Sequence, residues 1–233
     1  MNSKVVLVAG GTGGLGKAVT LAFLNAGAKV AVTYVKEEEL SALQAAAGKT
    51  ALTAYKVDIT DDPAVRGVTE TLAAAQGRID VLVNTVGAYA GGVKLWETDP
   101  RVFEQMLALN LRSGYVLSRH VVPLMLKQKS GAIVNIAAKA AFDHAAGASA
   151  YAASKAAAVA MMDSLAEDLK GTGVRVNSVL PSIIDTPANR RAMPNADFAK
   201  WPKPEEIARV ILFLCSEDAR LIHGASIPVY GSD

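Results

Sequence analysis

Short β-branched runs alternate with longer stretches of helical periodicity along the whole chain. Val5–Ala9 reads as a strand and Gly14–Asn25 as a helix, and Lys29–Thr33 and Glu37–Ala47 repeat the pair. Leu52–Val57 is a third strand. The helix after it is capped by Asp61 and opened by Pro63, whose missing amide has no partner to lose in a first turn. Ile79–Asn84 is a fourth strand. Pro100–Lys127 has the periodicity of one long helix, which Pro123 is expected to kink or end. Ala132–Ala137, Val174–Leu180 and the short Ile227–Val229 complete the strands, with helices over Tyr151–Lys170 and Pro204–Cys215 between them. Such alternation predicts an α/β fold: a single domain over 1–233 built on a doubly wound parallel sheet of about seven strands, with helices on both faces. The segment 182–203 is the one long stretch without a clear period. It is rich in proline and reads as a substrate lid, with a plain surface connection as the alternative.

Composition agrees with that picture. Apolar residues make up 51% of the chain and charged residues 20%. The apolar excess is mostly Ala, Val and Leu, as a sheet covered on both faces requires. The net charge is +2, and no basic block or acidic run points to nucleic acid or a disordered tail. The single cysteine, Cys215, excludes an internal disulfide, suits a reducing cytoplasm, and lies in an apolar run that reads as core. No stretch approaches the roughly 18 apolar residues of a membrane span, and Val5–Ala9 is too short for a signal peptide. His120, His144 and His223 are scattered without metal-ligand spacing, so no metal is expected.

The first strand runs into Gly10-Gly11-Thr12-Gly13-Gly14-Leu15-Gly16. Glycine removes the Cβ that would hold a phosphate off the main chain, and the positive end of the following helix favours a pyrophosphate. The loop closes a first strand and opens a helix, the context of a dinucleotide site on a Rossmann-type sheet. Gly10, Thr12, Gly14, Leu15 and Gly16 are its expected contacts. Other strand ends border the same crevice. Asp58 ends the third strand and can accept from an adenine amino group. Asn84, ahead of Gly87, can brace the loop under the adenine ribose. Either is as readily a strand-end cap. The second strand ends Thr33-Tyr34-Val35-Lys36 with no acid before Glu37. An NAD site usually places Asp or Glu there, whereas Lys36 can face a 2′-phosphate, so NADP(H) is expected over NAD(H).

Tyr151 and Lys155 stand at i and i+4 of a helix and share a face. A free tyrosine has a pKa of about 10, and a nearby lysine cation is expected to lower it by stabilising the phenolate. The pair can then donate a proton while a nicotinamide delivers hydride.

With these motifs the chain resembles the short-chain dehydrogenase/reductase family. The likeness rests on Gly10-x-x-x-Gly14-x-Gly16, Asn84-Thr85-Val86-Gly87, Leu109-Asn110-Leu111, Tyr151-Ala152-Ala153-Ser154-Lys155 and Val174 through Pro181. It implies that Tyr151 is the acid/base, that Lys155 binds the nicotinamide ribose and tunes it, and that Asn110 holds a relay water. It also implies that Pro181, Ile184 and Thr186 border the cofactor, Thr186 at the carboxamide. A homodimer or homotetramer is expected through the small-residue face of the Tyr151 helix (Ala156, Ala157, Ala158, Ala160) and the long helix before it.

The chain departs from the pattern where the family usually carries a serine thirteen residues before the tyrosine: here stands Ala138. The quinonoid dihydropteridine reductases lack that serine as a rule. This sequence is similar to them there, at Ala90-Gly91-Gly92 and from Leu180 to Trp201. The expected function is therefore an NAD(P)H-dependent reductase acting on a small, conjugated quinonoid, dihydropteridine-like substrate. An ordinary carbonyl or 3-oxoacyl reductase, an alcohol dehydrogenase, and an inactive NAD(P)-binding sensor are the alternatives. Ser149 is a candidate replacement for the missing hydroxyl. Trp96 and Trp201 read as packing residues, Trp201 also as a cover for a flat ring.

Overall fold

The computed structural model describes every residue except Lys49, Ala51 and Asp233. Its strands are β1 (Val5–Ala9), β2 (Lys29–Tyr34), β3 (Leu52–Lys56), β4 (Val81–Asn84), β5 (Gly131–Ile136), β6 (Val174–Pro181) and β7 (Ala225–Val229). They form one sheet in the order β3-β2-β1-β4-β5-β6-β7, and every pairing is parallel. The helices are α1 (Gly14–Asn25), α2 (Glu37–Ala47), α3 (Asp62–Gln76), α4 (Pro100–Leu107), α5 (Ser113–Gln128), α6 (Ser149–Asp168), α7 (Pro187–Ala192) and α8 (Pro204–Leu214). The fold is the expected single-domain, Rossmann-like α/β arrangement. The strand order turns back between β1 and β4, which opens a crevice at their carboxyl ends.

Strand residues point alternately to the two faces. Val6, Val8, Val30 and Val83 meet α1, α2 and α8 through Phe23, Leu43 and Ile211. Val5, Leu7, Leu82 and Val176 meet α3, α5 and α6 through Leu72, Met125 and Met162. All five residues of β1 are buried, so the strand reads as a continuous apolar run rather than an alternation. Asp61 caps α3 by accepting from the Ala64 amide at 3.1 Å, as its position predicted. At the carboxyl-terminal end, Arg175 of β6 donates to the carbonyls of Leu214, Ser216 and Ala219. Asn177 adds a bond to the Ile222 carbonyl and accepts from the Ala225 amide.

Three expectations are corrected. The long helix over Pro100–Lys127 is divided, and not by Pro123, which lies inside α5. The break is a wider π turn at Ala108–Arg112, where Asn110 leaves the helix face to bond the loop after β4. The 182–203 stretch is not irregular throughout. Thr186 caps α7 by accepting from the Asn189 amide, and a 3-10 turn spans Phe198–Lys200. Both are shorter than two helical turns, too short to show a period. Strand and helix ends shift by one or two residues, β7 starting at Ala225 rather than Ile227. Among the described residues no helix is long and apolar enough to cross a membrane, and no group of three or more His, Cys, Asp or Glu could hold a metal.

Candidate active site

The glycine loop has the geometry of a phosphate cradle. Gly10 sits at φ +69, where an L side chain is strained, and its amide donates to the Thr33 hydroxyl at 3.0 Å. A Cβ on Gly16 would lie 2.0 Å from the Gly10 carbonyl oxygen, so only glycine lets α1 approach the loop this closely. α1 starts with no side-chain cap and no acid in its first turn, leaving its positive end facing the crevice. The Thr186 methyl lies 3.0 Å from where a Gly14 Cβ would stand, which brings the segment after β6 against the loop. These features fit a dinucleotide pyrophosphate.

On the β2 side the structure adds a residue that the sequence reading missed. Thr12, buried, donates to Glu39 at 3.1 Å, and the other Glu39 oxygen pairs with Lys36 at 3.2 Å. Lys36 holds the N-cap position of α2 and Glu39 lies in its first turn. An acid therefore reaches the loop from the helix instead of the strand end. Its i, i+3 spacing from Lys36 was a readable signal. Asp58 closes a turn, accepting from the Thr60 amide and hydroxyl. Asn84 is buried, donates to Asn135 and Ser113, and accepts from the Val86 amide, which braces the loop leading to Gly87.

Tyr151 and Lys155 lie one turn apart at the start of α6. Lys155 is buried and donates from Nζ to the Ile136 carbonyl at 2.9 Å. Burial brings its pKa down to about 8. The Tyr151 hydroxyl is pushed up to about 12, by burial first and then by Tyr89. The expected lowering by lysine is not seen in this structure: burial and then Tyr89 hold the tyrosine up, while Lys155 Nζ donates to the Ile136 carbonyl. Asn110 is buried and exchanges bonds with Ala88, accepting from its amide at 2.9 Å and donating to its carbonyl at 3.0 Å. It also donates to the Ser154 hydroxyl at 2.9 Å, and Ser154 in turn donates to the Tyr151 carbonyl. Asn110 thus ties the π turn, the loop after β4 and α6 together. Gly87 lies between two functional groups: a Cβ there would stand 2.8 Å from Asn110 Oδ1 and 3.1 Å from Lys155 Nζ.

Pro181 ends β6. The Ile184 carbonyl accepts from Asn189 at 2.8 Å and from the Thr186 amide at 2.8 Å, which shapes the turn that presents Thr186. Ala138 is buried and begins a 3-10 turn of Lys139, Ala140 and Ala141, so the end of β5 carries no hydroxyl. Tyr89, also unforeseen, packs edge-to-face on Tyr151 with ring centroids 4.9 Å apart. Trp201 is buried against Phe198, a packing role, whereas Trp96 is 78% exposed, contrary to its packing reading. Burial raises the Cys215 thiol to about 12, as fits a core residue.

Residues 4–197 match the family model described as short chain dehydrogenase. The chain belongs to the short-chain dehydrogenase/reductase family. This short-chain dehydrogenase/reductase is 34% identical over 245 residues to the 3-oxoacyl-[acyl-carrier-protein] reductase FabG of Thermotoga maritima, covering 99% of this chain and 98% of that protein. It is 34% identical over 238 residues to the meso-2,3-butanediol dehydrogenase of Serratia marcescens, covering 99% and 94%. Among solved structures, ElxO with NADP bound superposes with a TM-score of 0.92 at 26% identity over 98% of both chains. Members of the family are NAD(P)-dependent oxidoreductases, and this chain is one of them.

Proposed function

We propose that this enzyme interconverts a small carbonyl compound and its alcohol, with Tyr151 as acid/base, Lys155 as the cation beside it and Asn110 as the group that positions both. The supporting observation is the convergence of Asn110 and Lys155 on Gly87, with Tyr151 one turn from Lys155 on α6. A bound nicotinamide dinucleotide supplies or accepts the hydride. Tyr151 donates its hydroxyl proton to the substrate oxygen as the carbonyl carbon takes that hydride, so neutral alcohol is formed; the reverse reaction returns both. At neutral pH a tyrosine raised to about 12 is held in its protonated, donating form. Lys155, lowered to about 8, still carries its charge there. The relatives named for 3-oxoacyl and diol substrates support this carbonyl–alcohol reading.

The quinonoid, dihydropteridine-type substrate is a second reading. It is favoured by a β5 end without a hydroxyl and by the aromatic wall that Tyr89 sets beside Tyr151. For the cofactor we favour NADP(H), with Lys36 taking the 2′-phosphate against the opposition of Glu39. Gly10, Thr12, Gly14, Leu15 and Gly16 would hold the pyrophosphate side, Asp58, Asn84 and Gly87 the adenosine side, and Pro181, Ile184 and Thr186 the nicotinamide side. The 182–203 segment would cover the substrate, and the α4–α6 face would pair copies of the chain.

The test is steady-state kinetics of Tyr151→Phe beside the parent, on an activated ketone and on quinonoid dihydropterin, each with NADH and NADPH. Turnover should fall by about 10²–10⁴ with cofactor affinity unchanged. Unchanged turnover in the variant would overturn the assignment, and activity confined to the pterin would select the second reading.

A further inference from the structure

A carbonyl oxygen that takes on charge during hydride transfer has two lone pairs, and Tyr151 can fill one. The surroundings offer few further donors. The end of β5 supplies only alanines and Lys139, whose ammonium pairs with Asp143 and lies over the Tyr230 ring. Lys155 is buried and spends a donor on Ile136. Ser154 donates to the Tyr151 carbonyl from within the helix. Ser149 precedes Tyr151 by two residues, and helix residues two apart do not face each other. Tyr89 remains. Its ring is edge-to-face on Tyr151, yet the residue is 68% exposed.

The position of Tyr89 is built by its neighbours. Asn110 holds the Ala88 peptide next to it through two bonds. The Tyr89 hydroxyl lies over Gly91, where a Cβ would come within 2.2 Å of it. Gly92 takes φ +89, and a Cβ on Gly147 would stand 3.3 Å from the Gly92 carbonyl carbon, so glycines on both sides give the loop its path. A phenol held this way, its ring against that of Tyr151, has a wall and a donor to offer.

We infer that the Tyr89 hydroxyl is the second hydrogen-bond donor to the substrate oxygen, acting beside Tyr151 in place of a hydroxyl at position 138. The inference rests on the carbonyl reading proposed above. Tyr89 keeps its own proton; the proton transferred is that of Tyr151, and the hydride comes from the reduced nicotinamide. The donor stabilises the developing oxyanion without taking part in bond exchange.

The experiment compares the parent, Tyr89→Phe, Tyr89→Phe with Ala138→Ser, and Tyr151→Phe, using 2,3-butanedione with NADPH and NADH. Cofactor binding is followed separately by nucleotide fluorescence. Tyr89→Phe should lower kcat by about 10- to 100-fold with the cofactor Kd unchanged, and Ala138→Ser should restore most of that loss. If the parent does not turn over the diketone, the same four proteins are compared on an activated ketone that it reduces, and a parent that reduces no carbonyl compound overturns the reading on which the inference rests. Turnover within twofold of the parent, or a defect that Ala138→Ser leaves untouched, overturns the inference. A silent Tyr89→Phe beside a dead Tyr151→Phe overturns it alone. A Tyr151→Phe enzyme that works overturns the reading on which it rests.

Discussion

At the scale of single residues, Lys155 ties stability to pH. Its pKa falls from 10.5 to about 8 because burial penalises the charged form. Between those values the unfolded chain holds a proton that the folded chain lacks, so stability should rise with pH across that window. Tyr151 acts the other way, but only between 10.0 and about 12, where the folded chain holds the extra proton. Cys215, raised from 9.0 to about 12, likewise holds an extra proton in the folded chain above 9.0 and offsets the rise there. Urea midpoints should therefore climb between about pH 8 and 9 and level off above that, and Lys155→Met should remove the climb. At the other end of the crevice, Lys36 and Glu39 pull in opposite directions on a 2′-phosphate. Lys36→Ala should shift the ratio of NADPH to NADH affinity toward NADH by about tenfold, and Glu39→Gln toward NADPH by a similar factor, each near 1.4 kcal/mol. Paired fluorescence titrations read both. The residues that the sequence disclosed were those whose role follows from spacing along one element, such as Tyr151 with Lys155. Tyr89 stayed hidden because it acts on a residue far away in the chain, Tyr151, through a contact that only the fold creates; the spacing of Glu39 from Lys36 was readable, its bond to Thr12 was not.

Among the elements, the π turn carries the site. Asn110 is aimed at Ala88 because Ala108–Arg112 winds wider than an α-helix, in effect one extra residue in the turn. Deleting Ala108 should let α4 and α5 merge into a regular helix and rotate Asn110 off its target by about 100°. The variant should fold, by circular dichroism and a cooperative melt, while its turnover collapses. No periodicity argument reaches such a feature: Pro100–Lys127 reads as one helix, and the visible irregularity in it, Pro123, is where nothing breaks. Glycines were more informative. Gly16 was legible as part of the phosphate loop because the strand before it and the helix after it are both plain in the sequence; that it must be glycine for α1 to pass the Gly10 carbonyl comes from the structure.

For the molecule as a whole, the alternation of strands and helices was enough to foresee a parallel, doubly wound sheet, since each crossover has one permitted hand. The segment between β6 and α8 was legible in place but not in form, its cap at Thr186 and its anchor at Trp201 being local events inside a proline-rich run. Association is the open question at this scale. A groove on the α4–α6 side is lined mostly by apolar residues, Leu107, Leu111, Ala157 and Met161 among them, together with Glu104 and Arg112. An apolar face of this kind suits a partner surface. Light scattering at micromolar concentration should give a dimeric or larger mass, and Ala157→Arg should reduce it. A monomeric parent would refute the pairing. The Arg175 bonds have a separate consequence, for how the chain opens. One side chain supplies partners to the last carbonyl of α8 and to the turn beyond it, while its neighbour Asn177 fastens the entry to β7. The end of α8, that turn and β7 therefore share a mooring on β6. They should exchange their amide hydrogens as one cooperative unit, protected together while β6 holds.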